Sequence, residues 1–436
     1  MNPTRIKNLL IIAYEFPPSA GGGVQRVAKL ARYLPESGWQ PYVLTATPIW
    51  GRPTDESLLD QLIGVQVRRL PNRNPSAALA RLFAPVKALR PSGEHAGSAG
   101  SAPGATGMPL STRVVRRFWL DSAALWARRV PTAACEMHRG VGFSAVLASG
   151  PPHSTLIAGA RAAKVLGVLF IADMRDPWAG NPGYRWPGSP VRDRRSLSLE
   201  RDVMSSAAVA VTVSDPITAE ALEYGAPRAI TIPNGFDRAD LPSWRPRPGP
   251  LRIAFMGRFY GSTDPTPFLD GVALAVRRGG AAANLVIDML GQMSEFVTGA
   301  VESRGLKEHV IYHGFLPHRA ALEIVSGADA GLVALTDRPG AEANYTGKLF
   351  EYLGMGLPVL LVGPANGVAA KLVREAKAGL AVPYSDVEGV AKALQDMAAA
   401  KAAGEHRHAP VESVIARFDR REQARLVAGL LDEVVS

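Results

Sequence analysis

The stretch NLLIIAYEFPPSAGGGVQRVAKLARYL, residues 8–34, decides the fold class of this chain. It begins with a predicted strand, residues 8–13, whose residues 9–13 are all apolar, and continues into a turn with three consecutive glycines. After the turn, apolar side chains recur at helical spacing on one face: Val24, Val27, Leu30, Ala31 and Leu34. A buried strand, a glycine-rich turn and an amphipathic helix, in this order, open a doubly wound parallel sheet.

The same alternation of strands and helices continues along the chain. In the first half we predict strands at 8–13, 41–46, 65–70, 144–149, 168–173, 208–213 and 229–232. In the second half we predict strands at 251–256, 284–290, 310–313, 330–335, 358–362 and 379–382. Helix starts are predicted at a cap on Asp215 and at a capping box of Ser385 and Glu388. The pattern predicts an α/β fold of two Rossmann-like, doubly wound parallel-sheet domains that face a cleft.

Proline and glycine mark the domain limits. The segment LPSWRPRPGP, Leu241–Pro250, is dense in proline and is predicted to be a linker. It separates an N-terminal domain, residues 1–240, from a C-terminal domain, residues 251–410. Residues 90–107 are rich in glycine, alanine, serine and proline, and are predicted to form a surface loop.

Composition excludes several classes of protein. The 436 residues are 47% apolar and 20% charged, as expected of a globular chain of about two domains. No apolar run is long enough to cross a bilayer, and the apolar stretch near the N-terminus is too short for a signal peptide. The single cysteine, Cys135, excludes an internal disulfide framework and a multi-cysteine zinc site. We therefore expect a cytoplasmic protein.

The net charge of +10 is unevenly distributed. Residues 1–240 hold 28 Lys and Arg against 18 Asp and Glu, whereas residues 241–436 hold 21 of each kind. A basic first half indicates either an anionic partner, such as a membrane surface, or charge that serves solubility alone.

Several cofactor motifs are absent. A dinucleotide fingerprint that starts at Gly21 would need glycine at position 26, where the chain has Arg26. The sequence also lacks a P-loop, an HExxH motif and any clustered His/Cys pattern. We expect no cofactor and no metal site.

The segment NYTGKLFEYLGMGLPVL, residues 344–360, is the strongest candidate for chemistry. A helix is predicted to begin near Gly347, and it places Lys348 and Glu351 on one face. Lysine at a helix start can neutralise a diphosphate, and a carboxylate one turn later can accept hydrogen bonds from a ribose diol. For an arbitrary pair of this spacing, a surface salt bridge is the commoner arrangement.

Five segments in order resemble the GT-B glycosyltransferases of family 4. They are FPPSAGGGVQRVAKLARYL (16–34), IPNGFD (232–237), FMGRF (255–259), HGFL (313–316) and TGKLFEYLGMGLPVL (346–360). Within that family, SGPPHST (149–155) and DMRDPW (173–178) resemble a bacterial branch of surface-polysaccharide synthesis. The resemblance implies retaining transfer from a nucleoside-diphosphate sugar, usually without a metal. It also implies that residues 411–436 pack back on the N-terminal domain.

The resemblance assigns donor-binding roles by position. Glu351 matches the ribose-binding glutamate, and Gly22 and Gly23 match the loop that faces the donor phosphates. Arg258 and Lys348 are placed to neutralise the diphosphate. Five further residues of the same motifs are expected to contact the nucleotide-sugar: Gly257, Gly314, Phe315, Thr346 and Gly347. The family often has a second glutamate eight residues before Glu351; Ala343 occupies that position here, and the neighbouring Glu342 is a possible substitute.

The catalytic group of the first half is left with alternatives. Where the family usually has a histidine or an acid, this chain has Arg175 and Asp176. Asp176 can orient or deprotonate an acceptor hydroxyl while Arg175 holds an anionic group, or the two can form a structural pair. His153 can face the acceptor or a phosphate, or be a hydrogen-bonded surface group. Asp173 ends a core strand and is expected to be structural.

The stretch TRVVRRFWLDSAALWARRV, residues 112–130, combines arginines with aromatic residues. It can touch an anionic membrane, or it can be a packed helix with an arginine-rich exposed side. With the basic first half, it makes a lipid-linked acceptor at the inner face of the plasma membrane reasonable. The resemblance implies a glycan or lipid-linked acceptor, and we expect no nucleic-acid partner. Two alternatives stay open: a sugar-nucleotide 2-epimerase on the same fold, and a non-catalytic protein that binds anionic lipid or nucleic acid.

Overall fold

A computed structural model describes residues 7–19, 22–48, 54–72, 120–181, 189–259, 264–405 and 408–435. The predicted loop at 90–107 and residues 112–119 of the basic aromatic stretch lie outside these ranges. The strands are β1 (Lys7–Ala13), β2 (Trp39–Ala46), β3 (Gln66–Leu70), β4 (Ala145–Gly150), β5 (Leu169–Met174), β6 (Val209–Thr212), β7 (Ala229–Thr231), β8 (Arg252–Met256), β9 (Val286–Leu290), β10 (Val310–Gly314), β11 (Ala330–Ala334), β12 (Val359–Gly363) and β13 (Gly379–Pro383).

The α-helices alternate with these strands. They are α1 (Gly22–Tyr33), α2 (Ala124–Ala127), α3 (Val130–Val141), α4 (Ser154–Leu166), α5 (Pro190–Ser206), α6 (Asp215–Glu223), α7 (Thr266–Arg278), α8 (Glu295–Glu302), α9 (His318–Ser326), α10 (Gly347–Met355), α11 (Val368–Glu375), α12 (Val387–Ala402), α13 (Glu412–Ile415) and α14 (Arg420–Val435). Each predicted strand overlaps one of the observed strands, so the predicted α/β class is confirmed.

The chain divides into two compact units. The first contains Met1–Pro233 and Arg420–Ser436, and the second contains Asn234–Asp419. Helix α14 belongs to the first unit because its apolar face, including Val427 and Leu431, is buried in the same core cluster as α1. Residues 411–419 stay in the second unit, where Ile415 and Phe418 are buried. The return to the first unit therefore begins at residue 420 rather than 411.

The segment predicted to be a linker is part of the second unit. The backbone N–H groups of Arg245 and Arg247 donate to Ser326 O and Gly327 O at 2.9 and 3.0 Å. The indole Nε1 of Trp244 donates to Ala328 O at 2.8 Å. The segment is therefore fastened to the end of α9, and the limit between the units falls at residues 233 and 234 rather than at 240. Its prolines limit helix formation, but they do not prevent packing.

The sheet of the first unit has the strand order β3-β2-β1-β4-β5-β6-β7, with parallel pairing throughout. The order in which strands are added reverses at β1: β2 and β3 lie on one side of it, and β4 to β7 lie on the other. In register, Ile11 lies between Val43 and Leu147, and all three are buried. Strands buried on both faces are expected where helices cover a parallel sheet. The carboxyl end of β1 is therefore the position where such sheets bind ligands.

The second unit repeats the plan with the order β10-β9-β8-β11-β12-β13, also parallel. Its point of reversal is β8, which pairs with β9 and β11. Two core clusters cover the sheet, one that contains α7 and α12 and one that contains α9, α10 and α11. Phe236, from the IPNGFD motif, is buried in the second of these clusters.

Two predicted helix caps differ in the structure. Ser214 holds the N-cap position of α6, so Asp215 is its first residue, and the Thr231 hydroxyl donates to Asp215 Oδ1 at 2.6 Å. At α12 the cap is Asp386, whose Oδ1 accepts from Gly389 N–H at 2.8 Å. The predicted Ser385/Glu388 box is therefore wrong. Adjacent capping-type residues compete for one helix start, and sequence alone does not rank them.

Candidate functional site

Three glycines lie at the carboxyl ends of neighbouring strands in the second unit. Gly257, Gly291 and Gly314 follow or end β8, β9 and β10, and their φ angles are 131°, 122° and 67°. The N–H of Gly257 donates to Leu290 O at 2.8 Å, and the N–H of Gly291 donates to Gly314 O at 2.7 Å. A Cβ on Gly291 would stand 2.2 Å from Gly257 O. This edge is therefore bare backbone that a ligand can approach closely.

Lys348 lies beside this glycine edge. It is the second residue of α10, which begins at Gly347 after an extended Thr346, as the sequence predicts. Its Nζ lies 4.0 Å from the centroid of the Phe255 ring, and a Cβ on Gly257 would lie 3.1 Å from Nζ. Burial lowers the pKa of Lys348 to about 8, although the charge of Glu351 opposes the shift. Lys348 is therefore a cation at neutral pH whose charge titrates just above it.

Glu351 follows one turn later on α10 and is partly exposed. Its Oε1 lies 2.8 Å from Nε2 of His318, the first residue of α9. The sequence did not reveal the role of His318, although it stands five residues after the start of the HGFL motif. The contact fixes the orientation of a carboxylate that retains further acceptor positions.

The other predicted donor residues of the second unit lie around this edge. Arg258 is half-buried directly after Gly257, and Phe315 is 69% exposed after the end of β10. Thr346 Oγ1 is buried without a hydrogen-bond partner among the described residues. Glu342, the possible substitute for the missing glutamate, is exposed on a short 3-10 helix.

In the first unit, the structure brings Gly23 and Arg175 together. A Cβ on Gly23 would stand 1.8 Å from Arg175 Nη1, so the guanidinium lies directly against the start of α1. Arg175 Nη2 donates to Pro151 O, and the backbone N–H of Arg175 donates to Gly150 O at 2.9 Å. Arg175 Nε is buried without a partner among the described residues. Gly22 is the first residue of α1.

Asp176 and His153 have shifted pKa values for the same reason, burial. Burial raises the pKa of Asp176 to about 6, against the opposing effect of Arg175. Burial and the Arg175 charge lower the pKa of His153 to about 3. The His153 ring is 3% exposed and stacks on Trp178, with centroids 4.7 Å apart and planes 3° apart. His153 is therefore a neutral, buried imidazole rather than a hydrogen-bonded surface group.

The N-terminus of α4, next to His153, already holds a carboxylate. Asp121 Oδ2 accepts from the backbone N–H of Ser154 at 2.8 Å. Burial raises the pKa of Asp121. This helix start is satisfied from within the chain.

A buried ion pair supports this part of the first unit. Arg26, on α1, donates through Nε and Nη2 to Asp173, at the end of β5, over 2.8–3.1 Å. Ser149 Oγ donates to Asp173 Oδ2 at 2.6 Å. Arg26 Nη1 also donates to the carbonyl oxygens of Ile232 and Pro233. Asp173 therefore has the structural contacts expected of it, and Arg26 joins α1 to β5 and to residues 232 and 233, which follow β7.

The described residues contain neither a grouped metal-ligand set nor a membrane span. Within the part of the chain that the structure describes, no three His, Cys, Asp or Glu side chains are grouped so that they could hold a metal ion. None of the helices in the described ranges is both long enough and apolar enough to span a bilayer. In the basic aromatic stretch, Trp126 is fully buried on α2 against Tyr14, with ring centroids 5.4 Å apart, while Arg128 and Arg129 are exposed.

Family models match the two units in order. Residues 21–235 match the model described as "Glycosyl transferase 4-like domain", and residues 250–400 match "Glycosyl transferases group 1". Among solved structures, sucrose-phosphate synthase from Thermosynechococcus elongatus is 17% identical, with a TM-score of 0.65 over 98% of both chains. WaaG, a glycosyltransferase involved in lipopolysaccharide biosynthesis, is 12% identical, with a TM-score of 0.54 over 98% of both chains. The chain belongs to the GT-B glycosyltransferases.

A curated relative is similar over a shorter stretch. The 2-deoxystreptamine N-acetyl-D-glucosaminyltransferase of Streptomyces fradiae is 30% identical over 131 residues. These residues make up 29% of this chain and 30% of the relative's length. The matched models describe glycosyltransferase domains, and they favour neither the epimerase nor the binding-protein alternative.

Proposed function

We propose that this protein transfers a sugar, with retention of configuration, from a nucleoside-diphosphate sugar to a glycan or lipid-linked acceptor in surface or exopolysaccharide synthesis. The observation that carries the proposal is the placement of Lys348 beside the glycine edge of the second unit, with Glu351 one turn later on the same helix. A cation and a carboxylate one helical turn apart, next to bare backbone, suit a diphosphate and a ribose diol.

Each residue that is expected to bind the nucleotide-sugar has a role in this proposal. Lys348 neutralises charge on the diphosphate as the glycosidic bond breaks, with Arg258 as a second cation. Glu351, oriented by His318, accepts hydrogen bonds from the ribose hydroxyls. The backbone at Gly314 and the exposed ring of Phe315 contact the base. Thr346 Oγ1, buried and without a described partner, supplies a further donor to a phosphate oxygen. No cofactor or metal is included, since these side chains provide the positive charge.

The first unit supplies the acceptor groups. Asp176, with its pKa near 6, is the base or the orienting group for the acceptor hydroxyl. Arg175, held against Gly23, binds an anionic group of the acceptor. His153 lines this region as a neutral ring, which contributes shape rather than charge. Retention is the outcome that the family resemblance implies.

The class of acceptor and the location of the protein are inferred from its charge and from similar proteins. The excess of basic residues in the first half supports an anionic membrane surface as a partner on the cytoplasmic side. WaaG is involved in lipopolysaccharide biosynthesis, which supports a lipid-linked glycan as the acceptor. The Streptomyces fradiae relative acts on 2-deoxystreptamine, which supports a small aminocyclitol as a second acceptor to test.

Nucleotide binding is the first test. Thermal unfolding is measured without metal, with UDP, GDP, ADP, TDP and CMP, on the wild type and on Glu351→Gln. A ligand at one hundred times its dissociation constant stabilises a protein by about 2.7 kcal/mol, which raises the unfolding temperature measurably. We expect one diphosphate to stabilise the wild type selectively and Glu351→Gln to weaken that effect. No shift with any nucleotide in folded protein would contradict the proposal.

Transfer is then assayed with the matching nucleotide-sugars. The acceptors are a polyprenyl-linked sugar and 2-deoxystreptamine. NMR of the product reports the anomeric configuration, and an inverted product would contradict the retaining mechanism.

A further inference from the structure

The segment that follows β5 is fastened at its far end by two carboxyl groups. This segment, residues 175–181, begins with Arg175 and Asp176. The backbone N–H of Ala179 donates to Glu200 Oε2 at 2.7 Å, and the N–H of the next residue, Gly180, donates to Glu220 Oε1 at 3.0 Å. Glu200 lies on α5 and Glu220 on α6, so two separate helices hold consecutive amides.

Both carboxyl groups lie close to the backbone of this segment, and one of them, Glu200, is fully buried. Glu200 is 0% exposed, and its second oxygen, Oε1, has no hydrogen-bond partner among the described residues. A Cβ on Gly180 would stand 2.2 Å from Glu220 Oε1, so the carboxylate approaches the backbone more closely than any other residue at position 180 would allow. A carboxyl group is almost never buried this completely unless it is paired, and a buried polar atom without a partner calls for an explanation.

The environment of Glu200 keeps it protonated at neutral pH. Burial is the main cause that raises its pKa to about 8, and the charge of Glu220 adds to the effect. The titratable groups that act on this pair are Glu223 and Tyr224, both from α6, and Arg201 from α5 acts in turn on Tyr224. Ionisation of Glu200 therefore places a second negative charge beside Glu220 in the interior.

We propose that Glu200 and Glu220 are positioning residues that hold residues 175–181 so that Arg175 and Asp176 stay fixed at the carboxyl edge of the first sheet. Protonated Glu200 accepts from Ala179 N–H without repelling Glu220. Because the buried site disfavours the ionised form of Glu200, opening of the segment, which lets Glu200 ionise in water, becomes easier as pH rises towards 8. The catalytic consequence of this inference rests on the proposed function, whereas its structural part does not.

The test compares Glu200→Gln with Glu200→Leu. Glutamine keeps the carbonyl acceptor for Ala179 N–H and cannot ionise; leucine has similar volume and no acceptor. At pH 7 and saturating donor, we expect Glu200→Gln to transfer at close to the wild-type rate. For Glu200→Leu we expect kcat/KM for the acceptor to fall by roughly ten- to hundredfold, since small misplacements of reacting groups have effects of that size. The KM for the donor is expected to stay unchanged in both variants.

Amide hydrogen exchange of residues 175–181 gives a readout that does not depend on activity. The opened segment lets Glu200 ionise at its ordinary pKa of 4.5, whereas the closed segment holds its proton up to about pH 8. After correction for the intrinsic effect of pH, exchange in the wild type is therefore expected to rise as pH increases towards 8 and to level off above it, and Glu200→Gln is expected to remove that dependence. Wild-type protection in Glu200→Leu, or an unchanged pH dependence in Glu200→Gln, would overturn the inference. If the wild type transfers no sugar, the proposed function fails while the exchange data still decide the positioning role. If Glu200→Leu does not fold, Glu200→Gln alone decides it.

Discussion

Arg26 binds Asp173 through two guanidinium nitrogens, and the closest contact, Nη2 to Oδ1, is 2.8 Å. The two side chains are 3% and 1% exposed. A buried ion pair contributes little relative to a well-packed apolar pair, but removal of one partner leaves an isolated buried charge. This asymmetry makes the pair a sensitive test of the core of the first unit.

We expect Arg26→Met to lower the free energy of unfolding by about 3–5 kcal/mol, because Asp173 is left buried without its partner. Lys392→Met is the matched control, since the Lys392–Asp396 pair has side chains that are 71% and 62% exposed. Exposed pairs of this kind contribute about 0.2–1 kcal/mol. Chemical denaturation measures both variants. An equal, small effect in the two would show that the Arg26 contact is not maintained in solution.

Gly23→Ala tests the contact between α1 and Arg175. The new Cβ would stand 1.8 Å from Arg175 Nη1, so the guanidinium must move. We expect transfer activity to fall at least tenfold, while nucleotide binding by the second unit stays at the wild-type level. Gly140→Ala, within α3, is the control because its Cβ meets no atom within 4 Å. Full activity in Gly23→Ala would exclude a role for the present position of Arg175.

Lys348 predicts the pH dependence of donor binding. Its pKa of about 8 means that the ammonium group is present at pH 7 and is lost as pH rises above 8. We expect nucleotide affinity to fall over that range, and Lys348→Gln to bind roughly tenfold or more weakly at pH 7 without the alkaline loss. Isothermal titration measures both. Lys371→Gln, at an exposed position of α11, is the control; the same loss in that variant would make the effect nonspecific.

Asp176 predicts the acidic side of the pH–rate profile. A base with a pKa raised to about 6 is ionised only above that pH, so kcat/KM for the acceptor is expected to rise through pH 6. Asp176→Asn is expected to abolish this rise and to lower the rate by about a hundredfold or more. The exposed Asp202 provides the control variant, Asp202→Asn. A rise through pH 6 that persists in Asp176→Asn would assign it to another group.

The sequence was sufficient for the strands and for the start of α10. Apolar runs such as residues 9–13 are buried on both faces of a parallel sheet, and their short length between turn signals favours a strand over a helix. Helical spacing likewise predicts that α10 begins near Gly347 and that Lys348 and Glu351 lie on one face of it. Helix caps were harder to predict, because Ser214 and Asp215, like Ser385 and Asp386, are neighbouring residues with similar preferences.

The contacts that position the candidate residues could not be predicted. His318 and Glu351 are 33 positions apart, and Arg26 and Asp173 are 147 apart. Local periodicity carries no information about such pairs. The sequence presented Arg26 only as the residue that breaks a dinucleotide fingerprint, and the structure gives the physical reason for an arginine there. Gly291 was also missed, although a glycine directly after an apolar strand is a recognisable signal.

The return of α14 to the first unit has a consequence for synthesis of the chain. Residues 420–435 are made after all of residues 234–419, yet their apolar face completes the core around α1. The first unit therefore cannot reach its final packing while the second is still being made, although domains generally fold in order from the N-terminus. Until then, the apolar residues of this cluster that α14 covers stay open to water. A fragment that stops at residue 233 would keep those residues exposed and would be prone to aggregate.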